Sequence, residues 1–166
     1  MEFTTEISVM GRNVEQSTVD KIREPLARGI QALCNGDTVF ITDVKHMAVA
    51  VTAQADGGKI HRLNVHDHGN SEGVYIGKDW ITVNNFENYA SYLSKLSPLF
   101  TKSAKIHLTH CYLGQNTNLM FMFAATFGAK VYAGTGQDAG APYSANFGEY
   151  VGCTPAGTVF KEMRRP

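Results

Sequence analysis

Residues Lys105–Gly134, KIHLTHCYLGQNTNLMFMFAATFGAKVYAG, read as strand, helix and strand in one unbroken stretch. In Lys105-Ile106-His107-Leu108-Thr109-His110 the apolar Ile106 and Leu108 alternate with polar side chains, the period of a strand with one buried face, and Cys111 stands at its carboxyl end. Asn116 or Thr117 opens an apolar helix, Leu119–Phe127, and Gly128 closes it as a C-cap. Lys130-Val131-Tyr132-Ala133-Gly134 is the next strand. Two strands joined through a helix call for a parallel pair with a right-handed crossover.

Working outward, the same alternation of element types continues. Upstream, Asp56-Gly57-Gly58 breaks the chain, and Lys59–Val65 reads as a strand ending at His66. The turn-rich stretch Asp67–Gly73 leads into a hairpin, Gly73–Gly77 and Trp80–Val83, about Lys78-Asp79. Phe86, Tyr89, Tyr92, Leu93 and Leu96 then recur at helical spacing, so a helix is expected through about Leu99, capped by Asn84 or Asn85. Thr38–Thr42 is of strand type, and residues 45–54 lean to helix. Val14–Leu33 carries Val19, Ile22, Leu26, Ile30 and Leu33 at helical spacing, with Pro25 as a point of kinking. Downstream, Thr135–Tyr143 is a Gly- and Ala-rich loop, and Tyr150–Thr154 with Thr158–Lys161 reads as a closing hairpin. The expected fold is α/β: a mainly parallel sheet with helices on both faces plus small β-hairpins, as one domain over residues 1–166.

Composition narrows the function classes. Lys plus Arg and Asp plus Glu number 15 each, so net charge steers the chain toward neither phosphate backbones nor anionic lipid, and no nucleic-acid partner is expected. The longest apolar stretch, near Leu119–Ala125, falls far short of the roughly 20 residues of a membrane span, so no membrane partner is expected either. The N-terminal Met-Glu-Phe-Thr-Thr-Glu lacks the features of a secretory signal, which leaves a signal-free route as the alternative to a cytoplasmic location. Cys34, Cys111 and Cys153 are odd in number, widely spaced and without a Cys-x-x-Cys pair, which suits reduced thiols in a cytoplasmic setting.

The chemistry collects at two strand ends. In open α/β sheets, functional groups gather beyond the carboxyl ends of the strands, where loops converge. Cys111 has this position just before a helix, partly exposed and in electropositive surroundings that favour the nucleophilic thiolate. A histidine on a neighbouring strand end is placed to move a proton to a leaving amine, and His68 is preferred over His66 for its adjacent Gly69. Gly69 allows close backbone approach to a substrate carbonyl, and the N–H groups of Gly69 and Cys111 are the candidate oxyanion hole. Gln137 and Asp138 in the Gly-rich loop are weaker candidates for lining a substrate pocket. No nucleotide motif is present, and no cofactor is expected.

An apolar strand ending in His68-Gly69, a hairpin and helix, then an apolar strand ending in Cys111 resembles the caspase-like superfamily of cysteine peptidases, which includes the gingipains and the self-cleaving cysteine protease domains of large toxins. The resemblance covers residues 59 to about 135. It implies a caspase-like three-layer sandwich and an endopeptidase acting on a peptide or protein substrate. It also implies Cys111 as nucleophile, His68 as general acid or base, and Gly69 with Cys111 as oxyanion donors. The chain departs from the pattern at Thr109-His110, where a small residue before the cysteine is commoner.

Two other readings use the same residues. His66, His68, His110 and Cys111 supply donor types for a tetrahedral Zn2+, in a zinc-dependent hydrolase or a structural zinc domain, although no His-Glu-x-x-His motif is present. The fold could also serve as an inactive binding module. The bland readings are that His107 is a satisfied sheet histidine, that Cys34 and Cys153 are inert, and that Asp67 is an exposed turn carboxylate.

Overall fold

The computed structural model describes residues 4–11, 38–138 and 146–162. In chain order the elements are β1 (Thr4–Gly11), β2 (Thr38–Ile41), α1 (Val44–Ala55), β3 (Lys59–His66), β4 (Gly73–Ile76), β5 (Asp79–Thr82), α2 (Glu87–Leu93), β6 (Phe100–Thr109), α3 (Thr117–Phe127), β7 (Lys130–Gly134), β8 (Tyr150–Cys153) and β9 (Val159–Glu162). Seven strands form one sheet in the order β2-β1-β3-β6-β7-β8-β9, and β4 with β5 forms a separate hairpin. The first five strands of that order are parallel, and β8 and β9 add antiparallel.

Register makes the two faces chemically different. Ile7, Leu63, Ile106 and Val131 share one row across the sheet, and Val9, Val65 and Leu108 share another on the same face. These side chains are buried in one core with Val44, Met47 and Val51 of α1, Leu93 of α2, and Leu119, Phe123 and Phe127 of α3. Because α1 touches α2 and α2 touches α3, the three described helices form a single layer on this apolar face.

The opposite face is polar, with the rows Glu6, Arg62, Lys105, Lys130 and Ser8, Asn64, His107, Tyr132. Asn64 Nδ2 donates to Glu6 Oε1 at 2.9 Å, and the His107 ring stacks on Tyr132 at 5.4 Å. Among the described residues, helices therefore lie on one face and not on both. The helix expected over residues 14–33 and the thiol of Cys34 lie outside those residues.

Four local features differ from the expectations. β1 was not anticipated, because the residues after Glu6 alternate only as Ile7 and Val9; its place between β2 and β3 comes from long-range pairing. The helix expected through Leu99 is α2, which ends at Leu93 and gives way to a 3-10 turn over Ser94–Leu99 that contains Pro98, a residue without an N–H. Neither Asn84 nor Asn85 caps α2. The Asn85 side chain instead closes the end of β5, accepting from Thr82 N at 2.8 Å and donating to Trp80 O at 2.9 Å. β6 starts at Phe100, five residues before the alternating stretch that reveals it.

Among the described residues, no helix is long and apolar enough to cross a membrane.

Candidate active site

Strand register brings the two predicted strand ends together. His66 pairs with Thr109, and Asp67 N donates to Thr109 O at 3.4 Å, so β3 and β6 leave the sheet at the same level. Asp67-His68-Gly69 and His110-Cys111 are consequently adjacent turns. Their contact is tight: a Cβ on Gly69 would stand 3.0 Å from both His110 Cβ and Gly73 O. A side chain at Gly69 would thus crowd its neighbours in the fold, whatever a substrate requires.

The His68-Gly69 turn is held from two sides. From above, β4 docks on it: Tyr75 N donates to His68 O at 2.8 Å, and Asn70 N donates to Gly73 O at 2.9 Å. From below, Asp67 Oδ1 accepts from His68 N at 2.8 Å while Oδ2 accepts from Gly77 N at 2.7 Å. Asp67 is therefore not an exposed turn carboxylate. Burial raises its pKa, opposed by those two N–H bonds and by nearby His68. The His68 side chain itself is exposed.

Cys111 is partly buried, and its sulfur lies against the chain at Asp138. Asp138 N donates to Cys111 Sγ at 3.4 Å, with Asp138 O 4.0 Å away. No hydrogen bond joins Cys111 Sγ to the His68 ring among the described residues. The next residue, Tyr112, has a left-handed backbone at φ 59° and donates its N–H to Gly136 O at 2.8 Å. Cys111 does not sit directly at the start of α3: a 3-10 turn over Leu113–Gln115 intervenes, and Asn116 caps the helix by accepting from Leu119 N at 3.0 Å. Among the described residues, neither Gly69 N–H nor Cys111 N–H has a hydrogen-bond acceptor.

The other candidate histidines are structural in their surroundings. His66 is buried within β3, and His107 lies within β6 with its Nε2 3.3 Å from Arg62 Nη2. β6 ends at Thr109, so His110 is outside the strand, yet its ring is fully enclosed with Nε2 2.9 Å from Tyr75 O. Desolvation lowers its pKa to about 4, the bond to Tyr75 opposing and nearby His68 adding to the effect. Among the described residues, no three His, Cys, Asp or Glu side chains are grouped to hold a metal ion.

A family described as a domain of unknown function (DUF4347) matches residues 9–145. The chain belongs to this family. No curated protein matches it. In this DUF4347 domain the sheet continues past the matched residues through β8 and β9.

Sequence reasoning pointed to Gln137 and Asp138, and the domain uses them through their backbone. Asp138 meets the thiol, and Gln137 O accepts from Phe147 N at 2.9 Å. What sequence reasoning missed is the residue that shapes their loop. Asn146 Oδ1 accepts from Gly136 N and Gly148 N at 2.9 Å each, and Nδ2 donates to Gly136 O at 2.9 Å. One asparagine thereby fixes the segment that touches both Tyr112 and Cys111. Beside it, His107, Tyr132, Gly134, Asp138 and Tyr150 line a shallow concavity on the polar face of the sheet.

Proposed function

We propose that this domain is a cysteine peptidase that cleaves peptide bonds through Cys111, with His68 as its proton carrier. The observation that carries the reading is the adjacency of the His68-Gly69 turn to His110-Cys111, where the N–H groups of Gly69 and Cys111 meet no acceptor among the described residues. The Cys111 thiolate would attack a peptide carbonyl carbon, and the oxyanion would be received by those N–H groups. His68 would pass a proton to the leaving amine, giving a thioester and a free amino terminus. Water, deprotonated by His68, would then hydrolyse the thioester and restore the thiol.

The finer architecture, a three-layer sandwich with helices on both faces, belongs to the same proposal. Its support is topological: β2, β1, β3, β6 and β7 run parallel in that order across the sheet. A cytoplasmic setting with reduced thiols and a peptide or protein substrate complete the reading.

The test is the rate of Cys111 alkylation by iodoacetamide against pH, in wild type and His68→Ala. The expected result is a rate at pH 7 that falls about tenfold without His68, the group this reading makes the proton acceptor of the thiol. Equal rates would overturn the reading. Cys111→Ala and His68→Ala should each abolish peptide turnover while circular dichroism stays unchanged.

A further inference from the structure

His110 stands directly before the proposed nucleophile and carries an imidazole with none of its surface exposed. Facing a carbonyl oxygen at 2.9 Å, its Nε2 must carry the proton and donate to Tyr75 O. The N–H of that same Tyr75 donates to His68 O at 2.8 Å. In an extended strand the N–H and C=O of one residue point to the same side, so one edge of β4 is bonded both to His68 and to His110. The third side of the arrangement is the tight approach of Gly69 to His110 Cβ. Burial keeps the ring neutral, and the Tyr75 carbonyl selects the tautomer with the proton on Nε2.

We infer that His110 is a positioning residue, whose Nε2–H bond to Tyr75 O sets the His68-Gly69 turn at its working distance from Cys111. The inference rests on the peptidase reading above and extends it to a residue that touches no reacting atom. A side chain without a donor at position 110 would leave the Tyr75 carbonyl without this bond, and β4 would be free to shift with the turn it holds.

The experiment measures iodoacetamide alkylation of Cys111 against pH in wild type, His68→Ala, His110→Leu and His110→Gln, each checked by circular dichroism. Gln places an amide N–H near the position of the imidazole Nε2–H, and Leu fills the space without a donor. The expected result is that His110→Leu loses about tenfold in rate at pH 7 and takes on the profile of His68→Ala, while His110→Gln stays within about threefold of wild type. A His110→Leu profile equal to wild type, or a Gln variant as slow as Leu, overturns the positioning role while leaving the peptidase reading intact. Equal rates in wild type and His68→Ala overturn the peptidase reading and this inference with it. Should the Leu variant fail to fold, the Gln variant and the wild-type imidazole 15N shifts decide: an Nδ1–H tautomer at His110 overturns the inference, and an Nε2–H tautomer with a wild-type-like Gln variant sustains it.

Discussion

Gly11, the last residue of β1, lies against the Asp67 carboxylate: a Cβ on Gly11 would stand 1.5 Å from Asp67 Oδ2. The chain leaves β1 for β2 on one side and leaves β3 on the other, so this carboxylate fills the crevice where strand order reverses. Gly11→Ala must displace it and with it the bonds to His68 N and Gly77 N. The expected cost is about 3 kcal/mol in urea unfolding, the range for losing two bonds to a buried charged group. An alanine variant with wild-type stability would mean that the crevice is not closed in this way.

Asp67 also gives the domain a pH signature. Its pKa is raised in the fold by burial, so between its ordinary value of 3.8 and its native value the folded state holds more protons than the unfolded one. Stability therefore falls as pH rises through that window. Relative to Asp67→Asn, which cannot titrate, wild type should be stabler at the acid end and lose that advantage as pH rises. Chemical denaturation of both proteins from pH 3.5 upward checks the sign.

His110 produces the opposite slope. Its pKa falls from 6.5 to about 4 on burial, so between those values the unfolded state binds the extra proton. Stability is full above about pH 6.5 and declines as pH drops toward 4, by on the order of 3 kcal/mol for a shift of this size. The decline should be absent in His110→Gln. Its persistence there would assign the acid sensitivity to other groups.

How much of this was legible in the sequence depends on the range of the interaction. β3, β6, α3, β7 and both hairpins were readable because their signals are local: alternation at Ile106 and Leu108, the cap at Asn116, the stop at Gly128. Cys111 and His68 were readable as strand-end residues for the same reason. The enclosure of Asp67 was not, since it depends on Gly11 and Gly77, which are distant in sequence. Nor was Asn146, whose partner Gly136 is 10 residues away in sequence. The place of β1 was invisible because pairing, not composition, decides it.

The two described thiols should separate cleanly by reagent. Cys153 is fully buried at the end of β8, and burial pushes its pKa up. Cys111 is partly exposed beside the Asp138 backbone. Brief iodoacetamide treatment of the folded protein at pH 7, followed by peptide mass mapping, should therefore label Cys111 and leave Cys153 unmodified until denaturant is added. Early labelling of Cys153 would show that β8 opens on the timescale of the reaction.

Tyr112 tests whether strain is held next to the thiol. A non-glycine residue at φ 59° costs roughly 1 kcal/mol, and this one keeps its conformation by donating to Gly136 O. The ring itself is 40% exposed, so little packing is lost when it is removed. Tyr112→Gly should accordingly stabilise the domain by about 0.5–1 kcal/mol, whereas Tyr112→Val, β-branched at positive φ, should cost more than 1 kcal/mol. If the strain serves to aim Cys111 at Asp138 N, the glycine variant should also alkylate with a changed rate despite its greater stability. Stabilisation with an unchanged rate would mark the turn as a fold constraint alone.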